Sequence, residues 1–395
     1  MEEEPGLNTV LEGIKKYTDN ITAIVTVSDY GRNASNSRQE LNLMPIEDIK
    51  GSLIALSDND EEMKRVIKHE FNNNSLKGLT FGDIYMYALK EIYGEKYIEK
   101  SSDILKVIGK VIPVTDDEIK ICAELKDGTI VEEKDKISEV VYQKVTKINR
   151  VYITPTNAVP TPEAINAIKE ADAIIIGPGS LYTNIIPNLL VKNISRTIKE
   201  SKAMKFYISN IMTEPGQTDD YAISDHIDAL IEHVGKEIIN YCICDTGEVT
   251  PEFVRKYNKM GADLVEQDFK KVSGKGITII QKDMSIIKDG AIRHNPDAIA
   301  SCVMEIICND LKYKDKQNDP QYVMINSKVK EEKKKEKRAT KNKESLIKRK
   351  TLLDKKNEPR FKKKSKFQEK YKERIKSIKN SEKITEKNRK RQEKK

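Results

Sequence analysis

Between Arg150 and Cys244, short apolar runs alternate along the chain with segments of helical periodicity. The apolar runs predicted as strands are Ala171–Ile176, Lys205–Ser209 and Ile239–Cys244, and the helices between and around them are Glu163–Glu170, Ile185–Ser201 and Tyr221–Val234. Strands that alternate with helices in this way usually run parallel, with helices covering both faces of the sheet. The sequence therefore predicts a doubly wound, mostly parallel α/β sheet, whose ligands bind at the carboxyl ends of the strands.

The first half of the chain shows similar elements, followed by a change of texture. Helical spacing covers Leu7–Tyr17, a buried strand is predicted over Ile21–Val27, and further helices are predicted over Asp48–Leu56, Glu61–His69 and Phe81–Ile92. From about residue 107 to 145, short β-rich stretches appear, with a turn signal at Lys126-Asp127-Gly128. We expect one α/β domain over residues 1–327 that carries this segment as a small β-rich insertion.

The charge of the chain is divided unevenly. Residues 328–395 hold 31 of the 71 basic residues and 11 of the 63 acidic ones, so this tail carries +20 while the first 327 residues carry −12. Because the first 327 residues are acidic, the protein as a whole is not a basic nucleic-acid-binding domain. The tail has too few apolar residues to bury and is predicted to be disordered. Its apolar stripe, Phe367, Tyr371, Ile375 and Ile378, also fits a basic amphipathic helix on an anionic membrane surface or on RNA.

Several features indicate a cytoplasmic protein. The five cysteines have neither metal-binding spacing nor the density of a disulfide scaffold, which fits a reducing compartment. The start, Met1-Glu2-Glu3-Glu4-Pro5, has no apolar stretch and so is not a signal peptide. The longest uncharged run, Ala173–Val191, contains two glycines and two prolines, which argue against a membrane span.

A glycine-rich turn follows the predicted strand that ends at Ile176. Gly177 and Gly179 can adopt backbone angles closed to other residues, so the N–H groups there can converge on an anion where the next helix begins. Ser180 and Thr183 add hydroxyl groups. This pattern favours a phosphate cradle, and the alternative is an ordinary strand-to-helix turn capped by Ser180.

Three other loops are candidates for ligand contacts. Asn210 and Thr213 follow the next strand with uncharged hydrogen-bonding groups suited to a sugar or base, although a polar loop with a Pro-Gly turn is the alternative. Asp29 follows the first strand and could hold a metal or a ribose hydroxyl, or form an Asx turn. Thr80, three residues before Asp83, is first of all a helix N-cap. The chain has no G-x-S-x-G elbow and no Walker A lysine, so no catalytic or metal-binding residue is predicted.

In combination these stretches resemble the YvcK/CofD-like family of gluconeogenesis-factor proteins. The resemblance covers roughly residues 6 to 310 and is carried by Gly6-Leu7-Asn8, MPIEDIKGSLIALS at 44–57, Phe81-Gly82, Cys122–Gly128, GPGSLYTNIIPNLL at 177–190, NIMTEPGQT at 210–218, Ser224-Asp225-His226 and Arg293-His294-Asn295-Pro296.

The resemblance implies a Rossmann-like three-layer α/β/α fold that binds a nucleotide ligand. In the YvcK branch that ligand is a UDP-sugar, notably UDP-N-acetylglucosamine, and members act in cell shape and wall synthesis during gluconeogenic growth. The implied ligand-binding residues are Gly177, Gly179, Ser180, Leu181 and Thr183 in the glycine loop, Asn210 and Thr213 in the next loop, and Asp29, Asp83 and Arg293 elsewhere. No resident cofactor is implied.

This chain departs from the family pattern at several positions. Members usually have a hydrophobic strand and a glycine triplet before the Gly-Leu pair, whereas only Pro5-Gly6-Leu7 is present here. We expect a late start in preference to the loss of a central strand, because its loss would expose the edges of its neighbours. Tyr30 stands where a second Asp is usual, and the loss of that carboxylate weakens the case for metal-dependent transfer of the CofD type. Asp83 stands where the family usually has an Asn.

The leading hypothesis is a non-catalytic UDP-sugar-binding regulator. The first alternative is a CofD-type transferase, which moves a phospholactyl group from a guanosine-activated donor to a deazaflavin. The second is an adaptor that binds a membrane or RNA through residues 328–395. A second copy of the chain is a further partner compatible with the sequence.

Overall fold

The computed structural model describes residues 6–26, 46–59, 61–72, 76–309, 318–335 and 338. The chain divides into two units, Met1–Glu332 and Lys333–Lys395. Of the second unit, residues 333–335 and 338 are described, and they are helical. The predicted stripe from Phe367 to Ile378 lies outside the described residues.

Helices are the most frequent secondary structure among the described residues of the first unit. In chain order they are α1 (Gly6–Ile14), α2 (Glu47–Leu56), α3 (Glu61–Lys68), α4 (Phe81–Tyr93), α5 (Tyr97–Ile104), α6 (Ile137–Lys144), α7 (Pro162–Glu170), α8 (Ile186–Leu190), α9 (Ile194–Glu200), α10 (Ile223–Val234), α11 (Pro251–Lys259), α12 (Phe269–Ser273), α13 (Pro296–Asn309) and α14 (residues 320–335).

The strands of the described residues form four sheets. They are β1 (Thr22–Val25), β2 (Lys110–Pro113), β3 (Lys120–Leu125), β4 (Ile130–Val131), β5 (Ile148–Thr154), β6 (Ala173–Ile176), β7 (Met204–Ile208), β8 (Tyr241–Asp245), β9 (Thr278–Lys282), β10 (Ser285–Lys288) and β11 (Ala291–His294). The main sheet, in the order β6-β7-β8-β9, is parallel throughout, and β1 pairs in parallel with β2. The doubly wound, mostly parallel α/β arrangement predicted from the sequence is confirmed.

Strand β7 lies inside the main sheet and shows its layering. All five of its residues are buried. Phe206 packs into a cluster with α1, α13 and α14, while Tyr207 points into the other cluster, with α7 to α10. Because neighbouring side chains of a strand point to opposite faces, this alternation places one helical layer on each side of the sheet.

The stretch predicted to be β-rich at 107–145 contains strands of two sheets, but its last part, Ile137–Lys144, is the helix α6. Strand β2 pairs with β1, whereas β3 and β4 form an antiparallel sheet with β5. The hairpin β10-β11 is a separate antiparallel pair after the main sheet. Apolar alternation identifies strands but does not say which strand each will pair with. The sequence therefore indicated one β-rich segment where the structure has strands of two sheets.

The single helix predicted over Ile185–Ser201 is wrong. A π-helical turn at Leu181–Ile185 leads into α8, and Asn193, with φ of 64°, separates α8 from α9. Asparagine tolerates the left-handed region better than most residues, which lets the chain turn there. None of the described helices is both long and apolar enough to cross a membrane.

Helix α14 runs across residues 327 and 328, where the sequence analysis placed the boundary between the α/β domain and the tail. Tyr322, Ile325 and Val329 lie in the cluster that covers α1 and α13, and Val329 is buried. The Lys328 ammonium donates to the Lys16 carbonyl oxygen at 2.6 Å. The high lysine content of this region hid the apolar face formed by Tyr322, Ile325 and Val329 within the first unit.

A buried ion pair joins α2 to the start of α4. Lys50 Nζ lies 2.6 Å from Asp83 Oδ1, and the two side chains are 10% and 2% exposed. Asp83 Oδ2 also accepts from the Thr80 backbone N–H at 2.8 Å, which completes a capping box at the helix start. Removal of Asp83 takes away the buried partner of Lys50 and leaves only the more exposed Glu47 carboxylate, 2.9 Å from Lys50 Nζ, as its counter-ion.

We therefore expect Asp83→Ala to lower the free energy of unfolding by about 3 kcal/mol. The matched control is Glu62→Ala, which breaks the Arg65–Glu62 pair, whose side chains are 76% and 77% exposed. That change should cost less than about 1 kcal/mol, because water already screens the exposed pair. Urea denaturation followed by circular dichroism measures both. Equal losses in the two variants would contradict a structural role for the buried pair.

Candidate functional site

A cavity of about 980 Å³ opens at the carboxyl ends of the parallel strands. Six of the predicted ligand residues line it: Gly177, Gly179, Ser180, Asn210, Thr213 and Arg293. They come from the loops after β6 and β7 and from β11, which are far apart in the chain. The neighbouring positions of β6 and β7 in the sheet bring the first two loops together.

The glycine loop needs its glycines. Gly177 has φ of 75°, and a Cβ there would lie 3.0 Å from the Ile208 carbonyl oxygen. Gly179 has φ of 154°, a value that L-residues rarely adopt, although the space around it is open. At Gly177 both the backbone angle φ and the lack of space exclude a side chain, whereas at Gly179 only the angle φ does.

The Asn210 side chain ties the two loops together. Its Oδ1 accepts from the Gly179 N–H at 3.1 Å, and its Nδ2 donates to the Gly179 carbonyl oxygen at 2.9 Å. A side-chain amide that pairs with both polar groups of one residue fixes the position of that residue. Asn210 therefore shapes the mouth of the cavity and keeps one N–H for other contacts.

Ser180 lies at the centre of a hydrogen-bonded group. Its hydroxyl donates to Glu214 Oε2 at 2.7 Å and accepts from the Thr183 hydroxyl at 2.7 Å. Gln217 Oε1 lies 3.3 Å from the same Ser180 oxygen. Ser180 makes no side-chain cap for the turn that follows, so the alternative of a simple serine-capped turn does not describe this loop.

Two residues predicted as ligand contacts in these loops are held by the protein itself, Leu181 away from the cavity and Thr213 at its lining. Leu181 is fully buried in the hydrophobic cluster beneath the loop. The Thr213 hydroxyl accepts from the Asp263 N–H at 2.9 Å, and the Thr213 N–H donates back to the Asp263 carbonyl oxygen at 2.7 Å. Leu181 and Thr213 hold the loops in place, and Thr213 keeps its hydroxyl proton for donation.

Arg293 and His294 reach the cavity from β11. Arg293 is half-buried, and His294 Nε2 lies 3.1 Å from the Ser209 carbonyl oxygen at the end of β7. Burial lowers the pKa of His294 to about 4, while the Ser209 contact and the Asp245 charge oppose that shift. His294 is therefore neutral near pH 7, which leaves Arg293 as the cation among the lining residues in the part of the chain that the structure describes.

Sequence reasoning missed Asp48, on α2, as a lining residue of the cavity. Its carboxylate lies 3.3 Å from Asn184 Nδ2, and burial raises its pKa above the ordinary value, with Glu47 adding to the shift and Lys134 opposing it. Asp48 belongs to the segment MPIEDIK at 44–50, in which Glu47 and Asp48 stand between two isoleucines. Acidic residues in a partly apolar segment at the start of a helix were the available signal.

The remaining predicted residues stay untested as ligand contacts. Asp83 is buried, is not among the lining residues, and is engaged by Lys50 and Thr80. Thr183 is buried next to Ser180. Asp29 lies outside the described residues. The described part of the chain contains no group of three His, Cys, Asp or Glu side chains placed to hold a metal ion.

The mouth of the cavity thus combines groups of positive and of negative charge. The start of the π-helical turn offers backbone N–H groups without partners inside that turn, and Arg293 adds a positive charge. Glu214 and Asp48 place carboxyl groups beside them. Such an arrangement can bind a polar ligand whose hydroxyl groups donate hydrogen bonds to the carboxylates and whose anionic group lies near Arg293.

Comparison with known proteins gives a consistent result. Residues 5–285 match the family model described as 2-phospho-L-lactate transferase CofD. The chain is 39% identical to a putative gluconeogenesis factor of Clostridium acetobutylicum, over 84% of this chain and 74% of that protein. It is 37% identical to the gluconeogenesis factor of Bacillus subtilis, over 76% of this chain and 95% of that protein.

A solved structure shows the same fold. The crystal structure of a UPF0052-family protein from Bacillus halodurans matches with a TM-score of 0.71 and 36% identity, and the match covers 75% of this chain and 96% of that one. The Rossmann-like α/β fold is therefore supported by sequence and by structure.

The burial of His294 predicts a pH dependence of stability. Its pKa is about 4 in the folded protein and about 6.5 when unfolded. As the pH falls below 6.5, the unfolded chain binds the proton first, so the free energy of unfolding should fall by about 3 kcal/mol by pH 4 from this group.

Urea denaturation at pH 7 and pH 4.5 should therefore show a smaller loss in His294→Gln than in the original protein. His69→Gln, at an exposed position, is the control and should leave the loss unchanged. If both variants lose stability in parallel with the original protein, His294 does not carry this dependence.

Proposed function

This chain belongs to the CofD family, which includes the gluconeogenesis factors, and we propose that it is a regulatory protein that binds a UDP-sugar of the UDP-N-acetylglucosamine class. The observation that supports this most directly is the cavity mouth, where Asn210 joins the glycine loop to the loop after β7. A preformed polar mouth on a deep cavity is typical of small-molecule sites.

The diphosphate is assigned to the glycine loop. The N–H groups at the start of the Leu181–Ile185 turn lie there, and the two glycines keep the loop free of side chains that would block an approaching phosphate. Arg293 offsets part of the phosphate charge. Its assignment rests on its position in the cavity, because the family match ends before this residue.

The sugar is assigned to the other polar groups of the mouth. Asn210 keeps one amide N–H and Thr213 keeps its hydroxyl proton, so both can donate to a ligand oxygen. Glu214 can accept from a sugar hydroxyl once its bond with Ser180 is exchanged. Because a carboxylate repels a phosphate, Glu214 also limits how close the diphosphate comes to Ser180.

The first test is calorimetric titration of UDP-N-acetylglucosamine into the full-length protein and into Ser180→Asp. We expect saturable binding to the original protein and binding at least about ten-fold weaker to the variant, because a second carboxylate would stand beside Glu214 and the phosphates. Ser273→Asp, on an exposed residue outside the cavity, is the matched control and should bind normally. Absence of binding by the correctly folded original protein would refute the proposal.

A second test removes the negative charge of Glu214. Glu214→Gln should strengthen binding of the nucleotide sugar about three- to ten-fold at low salt, because the repulsion between the carboxylate and the diphosphate is lost. The exposed Glu252→Gln is the charge-matched control. Weaker binding in Glu214→Gln alone would show that the carboxylate serves the sugar more than it opposes the phosphates.

A transferase of the CofD type is the second candidate, favoured by the family model that matches residues 5–285. Its distinguishing property is turnover. Incubation of the protein with a guanosine-activated phospholactate donor, a deazaflavin acceptor and Mg²⁺ should give an acceptor that carries the phospholactyl group, with release of the guanosine nucleotide, if this candidate is right, and no product if the protein only binds.

Two further elements of the proposal lie outside the site. A role in cell shape and wall synthesis follows from the regulator hypothesis, and the gluconeogenesis-factor name of the relatives supports it only at the level of carbon metabolism. Contact of residues 328–395 with an anionic membrane or RNA is proposed from their charge of +20. Loss of salt-sensitive binding after removal of residues 339–395 would support that contact.

A further inference from the structure

One wall of the cavity, on the side of α11 and β11, is apolar and is not used by the site described above. Five residues that line the cavity form this apolar wall: Ile211, Met212, Tyr257, Ala262 and Ile292. They belong to a hydrophobic cluster of their own, separate from the two clusters that enclose the main sheet. The wall therefore has a role other than covering the sheet.

The apolar wall is fixed beside the loop that follows β7. The Val265 N–H donates to the Ile211 carbonyl oxygen at 3.0 Å, and the Thr213 N–H donates to the Asp263 carbonyl oxygen at 2.7 Å. These bonds hold the loop against the segment that carries Ala262. Because Thr213 is one of the residues to which the sugar is assigned, the wall lies next to the sugar.

Tyr257 gives the apolar wall one polar group. Its hydroxyl oxygen accepts from the Ile292 N–H at 3.1 Å, and its own proton remains for donation. The structure records no acceptor for that proton among the residues that it describes. Tyr257 is 7% exposed, so a ligand oxygen that accepts from it replaces little bound water.

We propose that the apolar wall is the subsite for the acetamido group of the nucleotide sugar. The methyl group packs on Met212 and Ala262, and the carbonyl oxygen accepts from the Tyr257 hydroxyl. This proposal rests on the proposed function and adds the part of the sugar that the site distinguishes. A sugar with a plain hydroxyl at the same carbon has no methyl group to bury and no carbonyl to offer, so it gains neither contact.

Calorimetric titration of the full-length protein with UDP-N-acetylglucosamine and with UDP-glucose tests the subsite. The two ligands differ only in the acetamido group, so the ratio of their affinities reports on its contacts alone. We expect the N-acetylated sugar to bind at least about ten-fold more tightly, because one buried methyl group and one hydrogen bond together account for a preference of that order.

The first variant is Ala262→Leu, whose larger side chain takes the place of the acetyl methyl group. Ala262 is 4% exposed, so the added atoms have no route out to solvent. We expect about ten-fold weaker binding of UDP-N-acetylglucosamine, with UDP-glucose within about two-fold of the original protein. Ala88→Leu, at an exposed position of α4 outside the cavity, is the matched control and should change neither affinity.

The second variant, Tyr257→Phe, keeps the ring and removes only the hydroxyl group. We expect UDP-N-acetylglucosamine to bind about three- to ten-fold more weakly and UDP-glucose to bind as before. Tyr93→Phe, at an exposed tyrosine, is its control. Circular dichroism verifies that each variant is folded, and the two variants test the methyl and the carbonyl contacts separately.

The outcomes separate this subsite from the proposed function. Equal affinity of the original protein for the two ligands would overturn the subsite and leave nucleotide-sugar binding intact. Equal weakening of both ligands in Ala262→Leu would also overturn it, because the wall would then contact a part that the ligands share. Absence of binding of both ligands to the original protein would refute the proposed function, and the subsite with it.

Discussion

Burial of β7 on both faces is the constraint on which the rest of the molecule depends. Phe206 and Tyr207 are each fully buried, one in each of the two hydrophobic clusters that enclose the main sheet. Because β7 is held in this way, β6 and β8 are placed beside it in fixed register. The loops after β6 and β7 must then emerge side by side, and Asn210 can reach both polar groups of Gly179.

The candidate site built on this scaffold is not a simple anion cradle. The glycine loop and Arg293 favour a phosphate, but the Ser180 hydroxyl is held by Glu214, and Asp48 lines the same cavity. A ligand that carries both a diphosphate and sugar hydroxyls can satisfy the two signs of charge at once, whereas inorganic phosphate satisfies only one. This mixture is a stronger argument for a nucleotide sugar than the glycine loop is by itself.

Much of the fold could be read from periodicity, and the failures have physical causes. Strands β6, β7 and β8 and helices α4, α7 and α10 lie within a few residues of their predicted ranges, because their apolar patterns are regular. The break at Asn193 was missed because a left-handed turn needs only one residue. The apolar face of α14 was missed because lysines surround Tyr322, Ile325 and Val329.

The sequence alone determined the α/β class and the two loops that meet at the carboxyl ends of the strands, the glycine loop and the loop after β7, since these depend on local patterns of glycine, apolar and hydroxyl residues. Tertiary structure alone decided which side chains share the cavity. Glu214 and Asp48 enter it, whereas Leu181 and Asp83 are turned into the protein. Strand pairing and side-chain direction arise from contacts between distant parts of the chain, which no local pattern encodes.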